Sequence, residues 1–118
     1  MTFVTRRVYE PPAPDDGYRV LVDRLWPRGL TKERAALDEW AKDAAPSPDL
    51  RTAWHRAATG EWDGFADRYR AELDDNPAVD HLLALGRDHE RVTLLFAAHD
   101  PERNHAAVLR DHLAEHAR

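Results

Sequence analysis

The chain contains no cysteine. That absence excludes a disulfide framework, a thiolate metal cage, an iron–sulfur cluster and a cysteine nucleophile. Long apolar runs are missing too. The longest, residues 92–98, is broken by Thr93 and falls far short of the roughly 20 residues of a membrane-spanning helix. Residues 1–7 lack the apolar stretch of a secretory signal. There is no P-loop, GxGxxG, GxSxG or HExxH string, hence none of the chemistry those motifs carry. Nor is there an excess of basic residues: 17 Lys and Arg stand against 22 Asp and Glu, a net charge of −5. Proteins that live on duplex DNA are normally basic, because phosphate contacts supply most of the affinity. The expectation is therefore a soluble, cytoplasmic chain with neither membrane nor nucleic acid as its partner. No cofactor or oligomeric state can be named from the sequence.

What is present fits one domain over residues 1–118: the length is ordinary for a single hydrophobic core, and 42% of residues are hydrophobic. Charge is unevenly spread. Residues 1–34 hold seven basic and five acidic side chains, whereas the rest hold 10 and 17. The N-terminal third therefore has room for a local anion site.

Periodicity orders the elements. Residues 3–9 alternate with β-branched and aromatic side chains and read as a strand. Three prolines and Gly17 make residues 10–17 a loop. Val20, Leu21 and Val22 in a row suit a strand buried on both faces, ended by Pro27 and Gly29. Thr31 is the expected cap of a first helix, with Leu37, Trp40, Ala41 and Ala44 as its apolar stripe. Ser47 with Pro48 starts a second helix, with Leu50, Trp54 and Ala57 or Ala58 facing inward, and Gly60 breaks it. Trp62, Phe65, Ala66, Tyr69 and Leu73 mark a third, and Asn76-Pro77 opens a fourth. Residues 91–98 form the strongest strand. A last helix follows, capped by Asp100 or by Asn104. The fold class expected is α/β: a small, mainly parallel sheet of about three strands flanked by five helices. Residues 19–25 and 92–98 should be parallel neighbours, because helices separate them.

Ligands of such sheets bind beyond the carboxyl ends of the strands. Two segments lie there, residues 23–29 and residues 99–105. In the first, Asp23 sits at the strand end, Arg24 and Arg28 offer planar forks for phosphate or carboxylate, and Trp26 offers a stacking face. In the second, a helix start attracts anions, and His99 is a candidate general acid or base. Asp100 and Asn104 are candidate ligand-binding groups or simply caps. His99 and Asp23 are the candidate catalytic pair. Arg24, Arg28 and the helix start are expected to share one electropositive pocket, so that Arg28→Ala would abolish stabilisation by anions. No metal site is expected: His99, Asp100 and His105 match no standard zinc spacing. His105, His112 and His116 read as a solvated helix face.

The string DGYRVLVDRLWPRG over residues 16–29, preceded by Val8-Tyr9-Glu10-Pro11-Pro12, resembles the signature of the YeaO-like branch of a bacterial domain-of-unknown-function family. Trp62-Asp63-Gly64-Phe65, Arg68-Tyr69, Glu72-Leu73 and the segment 94–113 fit the same pattern, so the likeness covers nearly the whole chain. It implies a small cytosolic α/β domain and no particular activity. Longer relatives of the wider family carry a Cys-His-Arg run at the last helix. Aligned on Asp100-Pro101-Glu102, Asn104 stands at the Cys, His105 at the His and Ala106 at the Arg. With neither the thiol nor that guanidinium, covalent thiolate catalysis is excluded. Two readings stay open. One is a site for a small anion or phosphorylated metabolite at the sheet's carboxyl rim, enzymatic or binding only. The other is a non-catalytic interaction or regulatory module whose Arg/Trp loop contacts a protein or nucleic acid.

Overall fold

A computed structural model describes residues 2–56 and 62–117. Its elements run β1 (Thr2–Arg7), β2 (Tyr18–Leu21), α1 (Lys32–Ala35), β3 (Glu39–Trp40), α2 (Pro48–Arg56), α3 (Trp62–Asp74), α4 (Pro77–Asp88), β4 (Arg91–Phe96) and α5 (His105–His116). The strands form one parallel sheet in the order β1-β4-β2-β3. As expected, β2 and β4 are parallel neighbours, with Tyr18 opposite Val92 and Leu21 opposite Leu95. Ala57, Ala58 and Gly60 lie outside the described residues.

Alternation along the strands divides the core in two. Phe3, Val20, Val22, Val92, Leu94 and Phe96 face a helical layer that contributes Leu50, Phe65, Tyr69, Leu73, Leu82, Leu109 and Leu113. On the other face, Leu21 and Leu95 pack with Val8, Leu30 and Ala35 in a smaller cluster. That side is closed mainly by loops and the single turn of α1.

The connection from β1 to β2 is a crossover without a helix of its own length: both strands pair with β4 in parallel. Ten residues reach up to about 33 Å when extended, against about 20 Å for a six-residue strand, so no helix is needed to return. What holds this strap is Asp16. Its carboxylate takes two hydrogen bonds from the Arg6 guanidinium at 2.8 and 3.0 Å, one from Arg19 and one from the Ala13 N–H at 2.9 Å. The Asp16 carbonyl accepts the hydroxyl of Thr93, buried in the middle of β4, at 2.6 Å.

The first helix is much shorter than expected. Thr31 caps it, accepting from the Arg34 N–H at 3.2 Å, but it ends at Ala36, whose φ is +49°. Residues 37–44 do not continue it. Instead Asp38 and Ala41 bond the backbone of Arg19 and Leu21, and Glu39–Trp40 adds a fourth strand. An open edge of β2 needs partners for its peptide groups, and that demand outweighs the helical spacing of Leu37, Trp40, Ala41 and Ala44. The helix carbonyls left free at Ala35 and Ala36 accept the Arg19 guanidinium at 2.8 and 3.0 Å.

Local punctuation holds elsewhere. Leu50 N–H donates to the Ser47 hydroxyl, and Ala78 N–H to the Asn76 side chain. For α5 the cap is Asn104, not Asp100. The histidines of α5 do not share a solvated face: His112 is buried, His105 half-buried and His116 exposed.

Candidate functional site

The carboxyl ends of β2 and β4 open into a cavity of about 270 Å³. Its inner wall begins with Asp23. The ladder continues one step past β2, from Val22 N–H to the Leu95 carbonyl, and the next free donor on β4, Ala97 N–H, is taken by Asp23 Oδ2 at 3.0 Å. Asp23 therefore stitches the two strand ends. Its other oxygen, Oδ1, is 2.9 Å from His105 Nε2. That nitrogen also lies 3.0 Å from the Val22 carbonyl. One N–H cannot serve both acceptors well: the Val22 carbonyl takes the hydrogen bond, and Asp23 Oδ1 is left a buried acceptor without one.

Three arginines surround this Asp–His pair. Arg24, Arg51 and Arg103 all line the cavity, together with the apolar walls of Trp54 and Phe65. Arg24 is held only loosely, 3.4 Å from the Ala45 and Pro46 carbonyls and 3.9 Å from the exposed Asp43 carboxylate. Among the described residues Asp23 is the one carboxylate in the lining. The cavity is thus locally cationic in a chain of net charge −5, beside the start of the 12-residue α5, whose dipole adds positive potential.

Beneath Asp23, Tyr69 is fully buried and donates its hydroxyl to the Ala44 carbonyl. Burial pushes that phenol far above its ordinary range, leaving it a permanent donor.

The sequence-derived residues divide. Asp23, Arg24 and Asn104 line the cavity. Trp26, Arg28, His99 and Asp100 do not. Trp26 turns to the opposite face of the sheet, donating to the Leu30 carbonyl at 2.7 Å and packing edge-on against Trp40. Arg28 is exposed, its carbonyl held by the Tyr9 hydroxyl at 2.8 Å. Arg24 lines the cavity and Arg28 does not, so the expected convergence of the two does not occur. His99 is exposed in the loop. Asp100 closes a turn: the N–H groups of Arg103 and Glu102 donate to it and hold its carboxyl below the usual range.

Asn104 is almost fully buried. It accepts from Ala107 N–H and donates to the Asp100 carbonyl, both at 2.9 Å. Asn104→Ala is expected to lower stability by about 1–2 kcal/mol, through a lost cap and an unpaired carbonyl; urea denaturation checks this.

Sequence reasoning missed Arg51 and underrated Arg103 and His105. Arg51 is one of many arginines on a helix with no motif around it. For His105 the signal was its place just after the cap, facing the end of β2.

A larger hollow of about 570 Å³ lies at the opposite rim, near the amino end of β4. Its charged lining is mostly acidic, with Asp15, Asp38 and Glu90 against Arg91, and it is more open. The carboxyl rim is the better candidate, both by charge and by the place where parallel sheets bind ligands.

These elements define a small parallel α/β domain with an arginine-rimmed, thiol-free cavity at the carboxyl edge of its sheet. The chain belongs to the DUF488-N3 family: the subclade described as "Inactive DUF488-N3 subclade" matches residues 2–118. It is 43% identical over 113 residues to "Uncharacterized protein YeaO" of Escherichia coli (strain K12), covering 96% of this chain and 97% of the relative. It is 47% identical over 104 residues to "Uncharacterized protein Rv3073c" of Mycobacterium tuberculosis (strain ATCC 25618 / H37Rv), covering 87% and 86%. No solved structure matches the chain significantly. Among the described residues no helix is long and apolar enough to cross a membrane.

Proposed function

We propose that the carboxyl-rim cavity binds a small anionic metabolite, phosphorylated or carboxylated, without covalent catalysis. The observation that carries this reading is the gathering of Arg24, Arg51 and Arg103 around one cavity with, among the described residues, a single lining carboxylate. Guanidinium forks bond phosphate and carboxylate oxygens with charge assistance. Binding rather than turnover is supported by Asn104 and Ala106 at the aligned Cys and Arg positions, and by the subclade's description as inactive.

Thermal unfolding with inorganic phosphate, at ionic strength held constant with chloride, tests the proposal. Phosphate at about 100 times its Kd stabilises by about 2.7 kcal/mol, a rise on the order of 10 °C for a chain of this size. The double variant Arg51→Ala/Arg103→Ala is expected to lose that rise. Arg28→Ala should keep it, since Arg28 does not line the cavity. Equal response in all three proteins would place binding elsewhere. No response to phosphate or to a panel of phosphorylated and carboxylated metabolites would favour the interaction-module reading. That alternative rests on Leu25, 60% exposed, and Trp40, 36% exposed, near the same loop.

A further inference from the structure

The far end of α5 carries a second cluster, unrelated to the rim. Twelve residues of helix span about 18 Å, so His112 and His116 sit well away from His105. They are one helical turn apart, and their rings stack with centroids 4.2 Å apart. The end of α3 places Asp74 against them. One ligand-type atom from each of Asp74, His112 and His116 lies within 4.8 Å of the other two.

We propose that Asp74, His112 and His116 form a site for one divalent transition-metal ion, of which Zn²⁺ is the best match. Two imidazoles and one carboxylate, with further positions open to water, are a common zinc ligand set. Ligand atoms around a tetrahedral zinc stand about 3.3 Å apart, given bond lengths near 2.0–2.1 Å. Closing from 4.8 Å needs small rotations of two exposed side chains, Asp74 and His116.

A separate observation points the same way. His116 Nδ1 lies 2.8 Å from the His112 carbonyl. A carbonyl only accepts, so Nδ1 is the donor there and Nε2 is the ring nitrogen left to ligate. That backbone-oriented imidazole is the form in which ligating histidines are usually held. The cluster also opens into a hollow of about 320 Å³ that Asp75 and Asp80 line as well. The surrounding charge therefore favours a cation. Bound there, the ion would tie the end of α5 to the end of α3.

Calorimetric titration of the full tag-free chain with ZnCl₂ tests this, with Co²⁺ as a spectroscopic substitute. Expected are one equivalent bound, a tetrahedral Co²⁺ absorption band, and a higher melting temperature with zinc. His116→Ala and Asp74→Asn alter exposed side chains and should stay folded. Each is expected to weaken zinc by at least 10- to 100-fold, roughly the loss seen when even an outer hydrogen-bond partner is removed. His81→Ala, at an exposed histidine paired with Glu39, should leave affinity unchanged. Weak binding at several equivalents, or affinity unaltered by both His116→Ala and Asp74→Asn, would overturn the proposal.

Discussion

Asp16→Ala is expected to destabilise the protein by about 3–5 kcal/mol, because it leaves a buried guanidinium without its counter-charge. Asp16 and the Arg19 side chain are both almost fully buried. Arg19 also binds the Ala35 and Ala36 carbonyls, so it cannot swing out to water without unpicking the end of α1. A domain of this size holds only about 5–15 kcal/mol in total, which makes this a large fraction. Arg6→Ala should cost much less, since Arg6 is partly exposed and its loss leaves Asp16 paired with Arg19. Guanidinium denaturation of the two variants gives the comparison, and near-equal losses would show that the Asp16–Arg19 pair is not the main tie.

The same residue sets an acid limit. Burial by itself would push the Asp16 carboxyl up, but the Ala13 N–H and the Arg6 and Arg19 guanidiniums outweigh it and hold it below its ordinary 3.8. A carboxyl depressed in the folded state contributes stability that is present above the unfolded value and lost as pH falls through the folded one. The contribution should thus be complete at neutral pH and disappear only below about pH 4. In Asp16→Asn that acid limb is expected to flatten.

Gly17→Ala should be comparably damaging, for a steric reason. Gly17 has φ +68°, and a Cβ there would lie 2.2 Å from the Arg91 carbonyl oxygen. Arg91 begins a strand paired on both sides, so its backbone cannot give way. The expected loss is about 3 kcal/mol or more, combining a backbone region closed to L side chains with overpacking. Gly29→Ala is the matched control. Its φ is +76° but nothing lies within 4 Å of the added carbon, so only the left-handed penalty of about 1–2 kcal/mol applies. If the two variants lose equal stability, the contact with Arg91 is not what requires glycine at position 17.

Together these expectations give the DGYR part of the family signature a structural meaning. Asp16, Gly17 and Arg19 hold the strap that lets β1 and β2 flank β4. The cavity proposed to bind an anion begins further along, at Asp23 and Arg24, where the chain leaves the sheet.

Much of the fold was legible from local chemistry. The apolar runs around Val20–Val22 and Val92–Phe96 announced buried parallel strands. Thr31, Ser47-Pro48 and Asn76-Pro77 marked helix starts, because a cap satisfies peptide groups within a few residues of itself. The lack of cysteine removed thiol chemistry outright, and the strand ends located the rim and, with it, Asp23, Arg24 and Asn104.

What only the tertiary structure decided involves partners distant along the chain. Whether residues 37–44 continued a helix depended on the unpaired edge of β2, some twenty residues earlier. The strap's crossing depended on Asp16 meeting Arg6, Arg19 and Thr93 at once. Arg24 and Arg28 share a loop, but only Arg24 lines the cavity, while Arg51 and Arg103, from separate elements, take the place expected of Arg28. His112 and His116 are ordinary at helical spacing until Asp74 is brought beside them. Periodicity and capping report on neighbours within a turn or two. A cavity and a cluster of charges are made by segments that only the packed sheet and helices bring together.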